Sequence, residues 1–171
     1  KLSAELLALD RVESIDSILN VPLLESPPKP IKELIKNVPT LESPDIDKVL
    51  AKKEFLNSPI YRDNLVSPDF KTTALLINLY DDPLYRELLK KRNSLRKKEK
   101  VESLSVAEHK ELDKVVVDFK DHRDKMRGVE HNNISKVRAI AEKYRGDAKI
   151  FLGGGSMIAD DLVTFIRSDL R

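Results

Sequence analysis

An α+β fold, mostly helical with a small sheet, follows from three features of the sequence. Its 171 residues carry 40% hydrophobic side chains but only 5% aromatic ones and no tryptophan, so the core rests on Leu, Ile and Val. Helical periodicity dominates between residues 84 and 145, whereas β-rich apolar runs are short and lie near residues 11–19, 72–80 and 148–152. The length suits one hydrophobic core and is short for two, so a single domain over residues 1–171 is expected.

From the start, Leu2 to Leu9 reads as a short helix closed by Asp10. Arg11 to Leu19 alternates through Val12, Ile15 and Ile18 with one slip of period, which predicts a strand carrying a bulge. Pro22, Pro27, Pro28 and Pro30 withdraw backbone donors and predict a loop. Two helices should follow. One spans Ile31–Val38 and stops before Pro39; the other spans Asp45–Leu56 after a Ser43-Pro44 start, with Ile46, Val49, Leu50 and Phe55 at helical spacing. Ser67-Pro68-Asp69 marks a turn between two extended runs, and Thr72–Tyr80, apolar in its middle, predicts a central strand covered on both faces.

Asp81-Asp82-Pro83 has the composition of a helix start: acids at the positive end of the dipole and proline in the first turn. A helical hairpin is predicted over 84–128. Leu84, Leu88 and Leu95 mark one arm; Leu112, Val115, Phe119, His122 and Met126, spaced three, four, three, four, mark the other. Ser105 to Glu108 is a capping box for the second arm, and Lys114, Asp118, Asp121 and Lys125 should face solvent. After Gly128 a separate amphipathic helix, Asn132–Arg145, should place Ile134, Val137, Ile140, Ala141 and Tyr144 on one face. Ala148–Leu152 then reads as a strand, Gly153-Gly154-Gly155 as a turn, and Ser156 as the cap of a last helix. Asp160 and Asp161 should lie in its first turn, with Arg167 and Arg171 near its other end.

Composition narrows the function classes. The formal charge, 31 minus 29 or +2, favours neither nucleic acid nor a membrane surface. With no cysteine, thiol catalysis, disulfides and thiolate metal sites are excluded. No apolar run reaches the roughly 18–20 residues of a membrane span, and no signal-peptide pattern opens the chain. Gly153-Gly154-Gly155-Ser156 lacks the lysine of a Walker loop and the spaced glycines of a dinucleotide fingerprint. Adjacent Asp160 and Asp161 point about 100° apart on a helix and do not converge. His109, His122 and His131 share no one-turn spacing; His122 reads as a seam residue with a hydrogen-bond partner. The basic run Lys90–Lys100 has no aromatic for base stacking and reads as a solvated helix end. No nucleophile has a neighbouring base in sequence, so no enzymatic activity, cofactor, metal or nucleic-acid partner is expected.

The segment Leu56–Asp82 and the closing stretch Ala148–Arg171, with its Phe-Leu-Gly-Gly-Gly-Ser-Met-Ile-Ala-Asp-Asp core, resemble the first large extracytoplasmic loop of RND-superfamily exporters of the MMPL-like branch, between their first and second transmembrane helices. As an ordered set, the resemblance spans most of residues 1–82 and 129–171. It implies a porter-type subdomain of ferredoxin-like (split β-α-β) design, one of whose strands would precede Lys1, with 84–128 an insertion. It further implies a periplasmic location and an integral-membrane whole, with residues beyond Arg171 entering the bilayer. Implied partners are the remaining transmembrane and second-loop parts of the same transporter and a hydrophobic cargo, lipids or other hydrophobic molecules, exported at the expense of the proton gradient; homo-oligomerisation is left open. The apolar side chains read as cargo-facing are Leu75, Ile77, Ile140 and Ile150. The alternative reading is a stand-alone protein-protein interaction module docking through its hairpin.

Overall fold

The computed structural model describes residues 1–26 and 38–169, and among these it has five helices and one two-stranded antiparallel sheet, an α+β arrangement. The helix expected at Ile31–Val38, all but its last residue, and the closing Arg171 lie outside the described residues. Packing divides the chain into two compact units, one of Lys1 with Ser3–Leu79 and one of Leu2 with the chain from Tyr80 onward. The hairpin expected at 84–128 falls wholly within the second.

In the first unit, α1 (Leu2–Leu7) leads to β1 (Val12–Asp16). Strand β2 (Leu76–Leu79) pairs with it, Ile15 facing Ile77 and Asp16 facing Leu76. The slip of period is a real irregularity, a register shift between Val12 and Ser14. Asn78 ties the pair from the side: its Nδ2 donates to Ser14 Oγ at 2.9 Å and to Asp16 Oδ2 at 2.7 Å. The expected central strand at Thr72–Tyr80 shrinks to four residues. Leu76 and Leu79 are exposed, so β2 is an outer strand of a two-stranded ribbon and is not covered on both faces.

Helix α2 (Lys48–Asn57) is capped by Asp47, whose carboxylate accepts from the amides of Val49 and Leu50, and not by Ser43. Its inner side carries Ala51, Phe55 and Glu54. Phe55 is fully buried and anchors a core with Leu23, Val21, Leu65 and Val66; Tyr61 and Phe70 pack on its ring at centroid distances of 5.3 and 6.3 Å. Glu54 is only 6% exposed, yet its two carboxylate oxygens accept from the backbone amides of Leu24 (2.6 Å) and Glu25 (3.0 Å). This carboxylate fastens the chain before the proline segment to the core. Tyr61 donates to Pro22 O at 2.5 Å, and burial, with the Glu54 charge added, raises its phenol above the ordinary value. The Ser67-Pro68-Asp69 turn forms: Ser67 Oγ donates to Asp69 at 2.6 Å, and Phe70 N to Ser67 O at 2.8 Å.

The second unit is helical. Helix α3 (Pro83–Val101) starts at Asp82, which accepts from Tyr85 N, with proline at the first position as expected. Helix α4 (Val106–Lys143) starts with the full capping box at Ser105 and Glu108. Glu108 also accepts from Lys98 Nζ of α3 at 2.6 Å, and this bond, with those from Ser105, holds its carboxyl at about 2. Leu112, Val115 and Phe119 are buried along the seam, while Lys114, Asp118, Asp121 and Lys125 are exposed, as the spacing predicted. On α3 Leu88 and Leu95 are half-buried as expected, but Leu84 is exposed and Tyr85 takes its place: Tyr85 and Arg92 meet Phe119, Tyr85 ring to ring at 5.2 Å and the Arg92 guanidinium 4.2 Å over the ring.

Two expectations fail in this unit. Gly128 does not end the second arm; α4 runs unbroken for 38 residues and absorbs the helix expected at 132–145. A lone glycine costs only about 1 kcal/mol in a helix, little against the turns on either side of it. Ala148–Leu152 is not a strand, since β1 pairs with β2 alone and the segment runs without a ladder to α5 (Gly155–Asp169).

Candidate functional site

The end of the second unit, from Arg123 to Asp169, is where the sequence and its packing disagree most. Gly154 turns the chain at φ 131°, a left-handed conformation that favours glycine, and α5 begins at Gly155. Ser156 is therefore inside the helix and does not cap it. Asp160 and Asp161 fall in the second turn, where the helix dipole no longer explains them. They bind α4 instead: His131 Nδ1 lies within hydrogen-bond distance of Asp160 Oδ1 at 2.7 Å, and Arg138 Nη2 forms an ion pair with Asp161 Oδ1 at 2.6 Å.

These two pairs hold α5 against α4 by its polar side. Ser156, Asp160 and Thr164, each a turn apart, line a cleft of about 510 Å³ whose other wall is Arg123, Arg127 and His131 of α4. The opposite side of α5 carries Ile158, Leu162, Phe165 and Ile166, which at 100° per residue form one stripe. That stripe faces away from the protein, with Ile158 at 68% and Phe165 at 62% of full exposure. Burying each such side chain is worth about 1.5–3 kcal/mol, so the helix docks with its most stabilising surface left unused.

A second cleft, about 380 Å³, lies beside the first at the end of α4. Arg138, Glu142, Arg145 and Lys149 form its polar wall; Ile150, Phe151, Leu152 and Met157 form its apolar one. Arg145 Nε donates to Glu142 at 2.5 Å, and Lys149 Nζ sits 5.0 Å over the Phe151 ring.

Of the four side chains read as cargo-facing, Ile150 lines this cleft and is half-buried, and Ile140 is buried on α4. Leu75 and Ile77 are half-buried in the first unit, Ile77 on β2 opposite Ile15. The four thus fall two to a unit. Sequence pattern does not single out Phe151, Met157, Arg145 or Lys149: a strand at Ala148–Leu152 would alternate Lys149 and Phe151 away from the apolar side, and the lone aromatic between Lys149 and the glycines is the one available signal.

His122 is the seam residue its spacing suggested: its Nε2 lies 2.8 Å from Asp82 Oδ2, joining α4 to the cap of α3. His109 lies 3.9 Å from Glu99 at the other end of the hairpin. Among the described residues no three His, Cys, Asp or Glu side chains cluster as metal ligands. In the basic run, Lys91 and Lys98 pair with Glu111 and Glu108 across the seam, which raises the pKa of both amines, while Lys90, Lys97 and Lys100 stay exposed. No described helix is long and apolar enough to cross a membrane. No family model, no curated protein and no solved structure matches the chain.

Proposed function

We propose that the chain is the extracytoplasmic domain of a proton-driven RND-superfamily, MMPL-like exporter, forming part of the path by which lipids or other hydrophobic molecules leave the cell. The observation that carries this reading is the orientation of α5, polar side clamped inward and apolar stripe outward. A helix so held suits a neighbour that is itself apolar, which in this reading is the membrane-facing part of the same transporter. The ordered resemblance of residues 56–82 and 148–171 to that family's loop supports it from the sequence side.

The sheet fits the reading in a specific way. A two-stranded ribbon is marginal by itself, and the exposed β2 leaves an edge at which further strands could pair. In the ferredoxin-like porter design one such strand would precede Lys1. Docking of a stand-alone module through the hairpin is less well supported, because Leu112, Val115 and Phe119 are already consumed between its own arms.

Topology tests the proposal. The 171 residues hold no cysteine, so a single Val106→Cys, placed where the native side chain is 88% exposed, gives one addressable thiol in them. In a full-length protein with all other cysteines removed, a membrane-impermeant maleimide should label it in intact cells. Labelling only after permeabilisation would refute an extracytoplasmic position, and export of a fluorescent hydrophobic probe that survives collapse of the proton gradient would refute the coupling.

A further inference from the structure

The 380 Å³ cleft at the end of α4 has a chemistry of its own. Three of its four polar lining residues are cations. Arg138 and Arg145 are each engaged by a carboxylate, Asp161 and Glu142, in solvent-exposed pairs. Such pairs are worth little, and a guanidinium with five N–H groups can hold a carboxylate and still donate to a second anion. Lys149 has no carboxylate partner among the described residues; its ammonium rests over the Phe151 ring with its donors available. The remaining wall is wholly apolar: Ile150, Leu152 and Met157 are half-buried, and Phe151 stands 78% exposed at the rim.

The lining excludes several ligand classes. It contains no amide or hydroxyl side chain, and Glu142 and the two arginines are already paired with charged partners, so the lining is poorly suited to a neutral sugar. A free inorganic anion would leave the apolar wall unused, and a neutral hydrocarbon would leave the Lys149 ammonium without a counter-charge. We propose that this cleft binds the anionic head and first carbons of a single-chain amphiphile, an alkyl phosphate or fatty carboxylate. The head lies between Lys149 and Arg145, and the chain leaves along Ile150, Leu152 and Phe151. At about 380 Å³ the cleft is near the lower end for ligand pockets and takes the head end only. The inference stands without the exporter reading, because it rests on the lining alone and is tested on the isolated 171-residue chain.

The test is an amide-shift titration below micellar concentrations with dodecyl phosphate, dodecyl maltoside and inorganic phosphate. Dodecyl phosphate should shift residues 145–152 saturably, with the maltoside weaker by about tenfold or more, the worth of one charge-assisted contact. Inorganic phosphate should not saturate. Lys149→Glu and, separately, Leu152→Asp should each weaken dodecyl phosphate by about tenfold while the circular dichroism spectrum stays native. Lys149 is exposed, so its replacement does not endanger the fold. Equal affinity for the neutral and anionic amphiphiles, an unaltered Lys149→Glu titration, or shifts centred on Ile158, Leu162 and Phe165 instead would each overturn the assignment.

Discussion

Replacing Asp160 and Asp161 together by asparagine should release α5 from α4 while leaving the helix itself intact. The two pairs that hold it, to His131 at 2.7 Å and Arg138 at 2.6 Å, are at least partly solvent-exposed. Each is worth about 0.2–1 kcal/mol, so the double substitution forfeits about 0.4–2 kcal/mol of docking. Because both aspartates lie beyond the first turn, little of the change comes from the helix dipole. Converted at 1.4 kcal/mol per decade, amide hydrogen exchange across residues 158–166 should accelerate about 2- to 30-fold, with exchange in α2 unchanged. Wild-type protein in about 1 M salt, where the screening length falls to about 3 Å, should move toward the variant. If exchange in α5 is the same in both proteins at low salt, the helix is held by Ala159, Val163 and Met157, and the account of an electrostatically docked helix is wrong.

Three further outcomes follow from the packing. Glu54→Gln should destabilise the first unit by about 2–4 kcal/mol in urea denaturation, since an amide can accept only one of the bonds from Leu24 and Glu25 and turns a donor toward the other; a change under about 0.5 kcal/mol would show that the carboxylate does not fasten that strand of chain. Gly128→Ala should raise the stability of α4 by about 0.5–1 kcal/mol in thermal melts, because a Cβ there meets nothing within 4 Å and the helix gains a better former. Glu108 is held at about 2, below its ordinary 4.5, so its contribution to the hairpin is full above about 4.5 and is lost as pH falls toward 2. Acid titration followed by helical circular dichroism should show that loss in the native hairpin and not in Glu108→Gln.

Local chemistry was legible wherever one side chain decides the outcome. The capping box at Ser105 and Glu108 and the Asp82-Pro83 start form as expected because each depends on neighbours within a turn, whereas the bulge in β1 and the His122 seam position form against partners far along the chain, β2 and Asp82, and showed in the sequence only as period. Leu84 was misplaced because the count followed leucines alone, whereas Phe119 selects Tyr85 and the Arg92 guanidinium. Gly128 was taken for a stop because a single glycine looks the same at a helix end and in a long helix. The strand expected at Ala148–Leu152 needs a partner that periodicity cannot supply, and none pairs with it among the described residues. The candidate site was legible only through Ile150. Its cations come from α4 and the segment after it, and their convergence is a matter of packing.

At about 1.5 Å per residue, the stretch of α4 from Phe119 to Lys143 is a rod of about 36 Å with no joint in it. Its seam with α3 therefore acts as a fulcrum. A tilt of about 5° there would sweep the far tip through about 3 Å and carry both clefts with it, since α5 is tied to that stretch through His131 and Arg138. Any movement of the hairpin end is therefore magnified at Arg138 on the far stretch of the rod.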